Sequence, residues 1–364
     1  MNRLFLIILS GIIPVSLNAQ FNTYTNAYLD IGVSARAMGM SSAYTSVTED
    51  ASAIYWNPSR LTNIDTKLDL ALMHNEHFGG IVKYDFGALA IKAGDKNVIS
   101  FGLIRSGVDN IPNTLELIDN DGRIRYDRIT AFSVADYAFM GSFARKLPVE
   151  GLSIGGTLKV LHRNIGMFGK GWGFGVDLGA SYTWKNLNSS IMLRDITTSV
   201  TNFSYNTETF EDVFAITGNE ILRKSSEVAL PSIVLGLSYK QWFDKKERFF
   251  MRPAVDFALT TDGKRNVLVA GKPISMDLRI GMELGYKNIV FLRGGVGQFQ
   301  RSNGDGIKTI WLVKPNIGAG FRVKTVYVDY ALASLGNQST FLFSHVFSLR
   351  IGLNVKSGKK KTEE

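Results

Sequence analysis

Three stretches of the chain alternate between apolar positions and positions that are polar, charged or glycine. In "FLFSHVFSLRIGLNV", Phe341, Phe343, Phe347, Leu349, Ile351, Leu353 and Val355 share one phase, and Ser344, Ser348, Arg350, Gly352 and Asn354 the other. In "WGFGVDLGASYTW" the apolar phase runs through Trp172, Phe174, Val176, Leu178, Ala180, Tyr182 and Trp184. In "MDLRIGMELGY" it runs through Met276, Leu278, Ile280, Met282, Leu284 and Tyr286, against Asp277, Arg279, Gly281, Glu283 and Gly285. A period of two marks strands with one face in an apolar medium. Strands of soluble sandwiches run ~5–6 residues. These run about ten or more, the length a tilted strand needs to cross a bilayer. Aromatic residues at the ends of the apolar phases match the interfacial girdles of membrane barrels.

The same pattern predicts strands over 67–74, 79–93, 97–105, 137–147, 152–163, 172–184, 188–196, 232–242, 249–259, 276–286, 289–298, 313–323, 325–333 and 341–354, fourteen in all. The even-numbered strands end in short links such as "GDK", "PVEG" and "KNL". The third, seventh, ninth and eleventh are followed by long ones, 106–136, 197–231, 260–275 and 299–312. Short turns alternating with long loops predict a transmembrane antiparallel β-barrel over 66–355, with both termini in the periplasm and outer-membrane lipid around it. A soluble all-β protein is the rival reading.

Charge fits the barrel. Lys159, Asp177, Lys240, Arg252, Asp256, Arg279, Glu283, Lys314, Arg322, Asp329 and Arg350 fall on the less apolar phase. Arginine or lysine facing lipid at mid-membrane costs ~2–4 kcal/mol, so these side chains are expected to point into the lumen. Two roles stand open for them: a paired network holding a plug to the walls, or a polar conduit. Mean hydropathy of +0.04 excludes a bundle of membrane helices but not a barrel, half of whose strand residues are polar.

The ends do not alternate. Residues 1–19 carry Arg3, the apolar run "LFLIILSGIIPVSL" and Ala19 before a cleavage site, and read as a signal peptide. Residues 356–364, "KSGKKKTEE", read as a polar basic tail. The tail stands where many outer-membrane barrels end in an aromatic residue; either Phe347 serves internally or the tail is a late extension. Residues 20–65 are rich in Ala, Ser and Gly and read as a hatch folded back into the lumen. Within them, "ASAIYWNPSRL" predicts a short helix capped by Thr48 or Asp50 and ending near Trp56. Pro58 forces Asn57 out of the helical region. Tyr55, Trp56, Asn57 and Pro58 are the candidate ligand-binding residues, either as a gate or as a turn that only stabilises the plug.

Groups for catalysis do not converge. The chain has no cysteine and four histidines, His74, His77, His162 and His345. "HNEH", 74–77, falls at the expected turn between the first two strands and reads as a chance hairpin rather than a metal site. "DNDG", 119–122, lacks the remaining ligands of a calcium loop and reads as a turn at Gly122. "GMFGKGWGFG", 166–175, follows no phosphate-loop pattern and reads as an outer hairpin loop. No catalytic residue, metal or cofactor is assigned. The net charge of +9 is scattered, with no nucleic-acid motif beside it.

The long loops are the candidate partner surfaces. Ile111 and Leu115 in the first, and Phe203, Tyr205, Phe210 and Phe214 in the second, are too apolar for simple disorder. They form a cap over the barrel or a docking site for protein.

"GVSARAMGMSSAYTSVTEDASAIYWNPSRL" resembles the N-terminal signature of FadL-like outer-membrane barrels, with Asn57-Pro58-Ser59 standing where that group has an Asn-Pro-Ala turn. Within the group the chain looks most like the PorV/PorQ family, a resemblance shared by "GVDNIPNTLELID", 107–119. It implies fourteen strands, an N-terminal hatch and a non-enzymatic role. That role is to bind or shuttle type IX secretion cargo, or to anchor proteins of the attachment complex. The alternative implied by the wider group is transport of hydrophobic small molecules through a lateral opening near the hatch.

Overall fold

The computed structural model describes residues 26–119, 121–208, 224–304, 308–334 and 343–354. The signal peptide, the basic tail, Phe210 and Phe214 lie outside the described residues. The strands are β1 (Leu68–His77), β2 (Val82–Ala93), β3 (Asn97–Asn113), β4 (Thr130–Lys146), β5 (Leu152–Asn164), β6 (Gly169–Trp184), β7 (Leu187–Arg194), β8 (Ser199–Tyr205), β9 (Lys224–Ala229), β10 (Ser232–Tyr239), β11 (Gln241–Trp242), β12 (Phe249–Thr260), β13 (Ser275–Tyr286), β14 (Val290–Gly304), β15 (Lys308–Val323), β16 (Val326–Ser334) and β17 (Phe343–Leu353). Fourteen of them form a closed antiparallel barrel, because β17 pairs with β1 from Leu68–Leu353 to Glu76–His345. The other three are not staves. β8 and β9 form a hairpin that prolongs β7 and β10 beyond the barrel, and β11 continues β10.

The pleat sorts side chains as the alternation predicts. In β17, Phe343, Phe347 and Leu353 face out, and Ser344, Val346 and Gly352 face in. Phe101, Leu158, Leu292 and Phe347 are among the large apolar residues exposed on the outer wall, the surface that meets lipid hydrocarbon. With β17 on β1, neither the first nor the last strand is left as a free edge, as a bilayer demands of a sheet.

Several boundaries differ from expectation. The link 106–136 shrinks to 114–129, because β3 and β4 are both seventeen residues long. The link 299–312 is mostly strand, since β14 runs to Gly304 and β15 starts at Lys308. β3 and β14 each carry a bulge, between Val108 and Ile111 and between Gly297 and Gln300. A bulge inserts a residue and inverts the phase beyond it, so the period-two signal breaks while the pairing goes on. Residues 169–171, expected as loop before the strand 172–184, belong to β6. "HNEH" is the end of β1 and not a turn; the turn is 78–81, where Phe78, Gly79 and Gly80 take positive φ.

The hatch fills the barrel. It consists of a 3-10 turn (Ala27–Asp30), helix α1 (Ala35–Gly39), helix α2 (Ala53–Trp56) and a second 3-10 turn (Pro58–Asn63). Val33, Met40, Tyr44, Val47, Ile54, Trp56 and Leu61 are buried in the main core cluster, so the apolar core of this protein is largely the plug itself. α2 begins at Ala53 with Ser52 at its N-cap, in place of the expected Thr48 or Asp50. The Asp50 carboxylate instead accepts from the Ser52 amide at 2.8 Å. Asn354 lies at the short-link end of the barrel, whereas Asn26 lines a cavity on the long-loop side of the hatch.

Candidate functional site

The stretch Tyr55–Pro58 sits where hatch meets wall. One turn of α2 stops at Asn57, whose φ of −165° is the extended backbone that a following proline requires. The Asn57 side chain then works in two directions. Its Oδ1 accepts from the Ser59 amide (3.1 Å) and hydroxyl (2.7 Å), which caps the second 3-10 turn. Its Nδ2 donates to the wall, toward the carbonyls of Ala180 on β6 (3.4 Å) and Ile191 on β7 (3.3 Å). Two inward glycines make room for it. A Cβ on Gly155 would lie 2.6 Å from the Pro58 carbonyl carbon, and one on Gly179 would lie 2.1 Å from Asn57 Oδ1. The aromatic pair holds the other side of the hatch. Tyr55 donates its hydroxyl to the Leu29 carbonyl, and Trp56 Nε1 donates to the Val33 carbonyl at 2.9 Å. The Arg194 guanidinium, from the end of β7, lies 4.5 Å from the Tyr55 ring centre.

Charges expected in the lumen are there, and they are mostly paired. Glu283 is fully buried and receives both Arg36 of α1 (2.7 Å) and Arg293 of β14 (2.8 Å); Arg293 continues to Asp329 of β16 at 2.6 Å. Arg252 and Arg60 meet Glu49. Burial pushes the Glu49 carboxyl up, but Arg252, Arg36 and Arg60 outweigh it and lower the pKa to about 2. Asp256 accepts from the Tyr44 and Thr45 amides, Arg350 meets Asp69, and Lys159 bridges Asp177 and Asp195. Each of the first three groups joins a wall strand to the hatch; the fourth joins β17 to β1, and its Asp69 also accepts from the Ala51 amide of the hatch at 2.8 Å. Arg293, the hub of the first, was passed over in the sequence, although it stands in the same phase as Gly295 in "LRGG".

Cavities flank the plug. On the short-link side one of about 800 Å³ is lined by Glu49, Arg60, Lys96, Lys146, Lys185 and Lys240, among others. On the loop side, about 340 Å³ lies between Ile31, Met38, Phe78, Val82 and Ala333. A third, about 250 Å³, is bounded by Tyr55, Arg194, Val234, Ala258, Arg279 and Gln298.

The third cavity reaches a seam in the wall. β13 and β14 pair only from Tyr286–Val290 to Ile280–Val296. Beyond that level β13 stays with β12 as far as Ser275–Thr260, while β14 stays with β15. The loop 261–274 fills the space between them. Val269 exchanges two backbone hydrogen bonds with Met276 of β13, at 3.1 and 2.9 Å. The Asn266 side chain accepts from the Arg301 amide (2.8 Å) and donates to its carbonyl (2.7 Å) on β14. Asp277 and Arg279 on one lip and Gln298 and Gln300 on the other line the cavity beneath, with Arg265 and Val267 of the loop. Nothing in the sequence of this loop signals the seam.

The other candidates are dispersed. Ile111 pairs within β3–β4, opposite Phe132, and Leu115 is exposed at the hairpin tip with Ile118, Ile124 and Tyr126. Phe203 is buried, 5.3 Å from the Arg163 guanidinium, and the Tyr205 hydroxyl bonds Ser225. His74 faces outward and bonds Asp85, whereas His77 faces inward to Asn75 and Ser344. His162 lies outside with its ring tilted against that of Trp172, 4.1 Å between centres, and His345 bonds Tyr330. Among the described residues no cluster of three metal-ligating side chains occurs.

No protein-family model and no curated protein matches the sequence. Solved structures do match in fold. A CymD monoaromatic hydrocarbon channel is 14% identical over 92% of this chain and 99% of its own, with a TM-score of 0.56. The Pseudomonas putida toluene transporter TodX is 13% identical over 89% and 99%, at 0.54. The Ralstonia pickettii toluene transporter TbuX is 12% identical over 89% and 99%, at 0.52. At these identities the likeness is one of fold: the expected fourteen-stranded antiparallel barrel is found, and membership of the PorV/PorQ family is not shown.

Proposed function

We propose that the protein is an outer-membrane channel for small apolar or amphipathic molecules, with its short links in the periplasm. The observation that carries this reading is the seam between β13 and β14. It brings a lumenal cavity to the barrel wall behind one loop, while the hatch occupies the lumen below. Arg194, Arg265 and Arg279 beside Val234 and Ala258 suit a ligand with an apolar body and a polar end. The titles of the hydrocarbon and toluene channels that share the fold point to the same ligand class. Movement of loop 261–274 would open the seam, and the Asn57 turn keeps the hatch seated meanwhile.

Because the chain has no cysteine, the loop can be locked cleanly. The double variant Asn266→Cys, Arg301→Cys is expected to lose at least tenfold in uptake of labelled toluene by expressing cells when oxidised, and to recover on reduction. Equal uptake in both states would overturn the seam as the route.

One observation favours a second reading, the binding of secretion cargo or attachment-complex proteins. Leu115, Ile118, Ile124 and Tyr126 cluster, exposed, on the tip of the β3–β4 hairpin, and apolar patches of this kind mark interaction sites. A pull-down from gently solubilised membranes tests it. Secretion proteins recovered with the intact chain, and lost when 115–128 is replaced by a short turn, would support it. Recovery of apolar ligand alone would leave the channel.

A further inference from the structure

We infer that the outer wall over β4–β7 holds one glycerophospholipid, with an acyl chain in a groove floored by Gly156 and Ala180 and the phosphate on Arg145.

The groove follows from the alternation. In β4, Phe143 and Arg145 take the outward phase; in β5, Ile154 and Gly156; in β6, Leu178 and Ala180; in β7, Ile191 and Leu193. The ladders set Arg145, Ile154, Ala180 and Ile191 side by side. Where glycine and alanine stand among these residues the wall is thin, leaving an apolar depression of about 470 Å³ between Phe143, Ile154, Leu178 and Ile191. The hatch cannot deepen or fill it. Directly behind, Gly155 and Gly179 are pressed against Pro58 and Asn57, so the floor is backed by the most tightly seated part of the plug.

Arg145 supplies the second observation. It is exposed on the lipid side, beside Lys146 at the short-link end of β4, and has no hydrogen-bond or ion-pair partner among the described residues. The lumenal arginines of this barrel are nearly all paired, so an outward one without a carboxylate stands apart. A cation facing lipid is costly unless it reaches an interfacial anion. Tyr182 and Trp184, exposed near the same end of β6, mark the level of the headgroups. A phosphodiester at that level gives the guanidinium a charge-assisted partner, and its acyl chain then runs toward the bilayer centre along the groove. Neither feature alone would select a lipid from the annulus; an apolar slot ending at a fixed cation does.

The test is native mass spectrometry of the full chain released from mild detergent with added phosphatidylglycerol. The unaltered protein is expected to retain one lipid. Arg145→Gln removes the phosphate contact and Gly156→Leu fills the slot. Each is expected to lower occupancy at least tenfold, with Arg145→Lys restoring part of it. Gly294→Leu, on a distant part of the wall with open space around its Cβ, serves as control and is expected to retain the lipid. Diacylglycerol of the same chains should not be retained. Heat-modifiable gel migration shows that each variant is folded. Retention unaffected by Arg145→Gln, equal loss in the control, or no lipid on the unaltered protein would each overturn the inference.

Discussion

Asn57 shows how one side chain can fix a plug. Its carboxamide oxygen completes the turn that follows, and its nitrogen reaches two wall carbonyls that already belong to the β6–β7 ladder. Such an arrangement tolerates no intrusion from the wall. Gly179→Val places carbon where Asn57 Oδ1 now lies and is expected to cost ~1–3 kcal/mol, the range of overpacked cores. The measurement is the temperature at which the folded gel band converts, together with new protease cleavage near residues 57–60. The ion cluster is a second residue-level test. Glu283→Gln leaves Arg36 and Arg293 facing each other with one carboxylate fewer, and removal of one partner from a buried pair costs about 3–5 kcal/mol. Replacing Glu283 and Arg293 together by methionines strips Arg36 of its carboxylate and Asp329 of its guanidinium, and is expected to cost more than Glu283→Gln alone. If thermal unfolding ranks the two the other way, the cluster is not the brace described. The inward direction of these charges was legible from strand phase alone. Their partners were not, because Arg36, Arg60 and Glu49 lie in a segment without periodicity, where only the folded hatch determines what each touches.

Elements were legible where alternation was unbroken. β5, β12 and β13 end within about a residue of expectation, as their apolar and glycine phases leave one register. β3, β4, β14 and β15 run longer than expected, since two bulges reset the phase midway along the β3 and β14 ladders. The β8–β9 hairpin was hidden in a long apolar loop for a different reason. It adds no stave, and its strands pair partly with each other and partly with the upper half of β6. Because β7 and β10 pair directly from Arg194–Ser232 to Leu187–Tyr239, the barrel does not need the hairpin to close. Replacing residues 197–230 by a short Gly-Asn turn is therefore expected to leave folded yield and heat-modifiability within about 1 kcal/mol of the parent. A barrel that failed to form would place structural weight on the hairpin. The seam loop 261–274 was opaque to sequence altogether. Its role rests on where β13 and β14 part, a property of two ladders that no local pattern encodes.

At the scale of the molecule, strand count, closure and the lipid-facing band followed from period two, strand length and the rhythm of links. The interior did not, because a hatch of small residues can pack in many ways until walls surround it. That dependence runs in both directions. The hatch precedes β1 in the chain, yet α1 is tied to β13, and through Arg293 to β14 and β16, and the barrel closes only when β17 reaches β1. Arg350 and Asp69, joined across that closure, are 281 residues apart in sequence. Contacts so distant form late and slowly. A plug too bulky to be threaded into a finished cylinder must then already lie against the late strands when the last one arrives. The hatch, made before every strand of the wall, would thus wait for the closing strand, and the order of assembly, rather than any affinity of the finished barrel, would decide whether the lumen is filled.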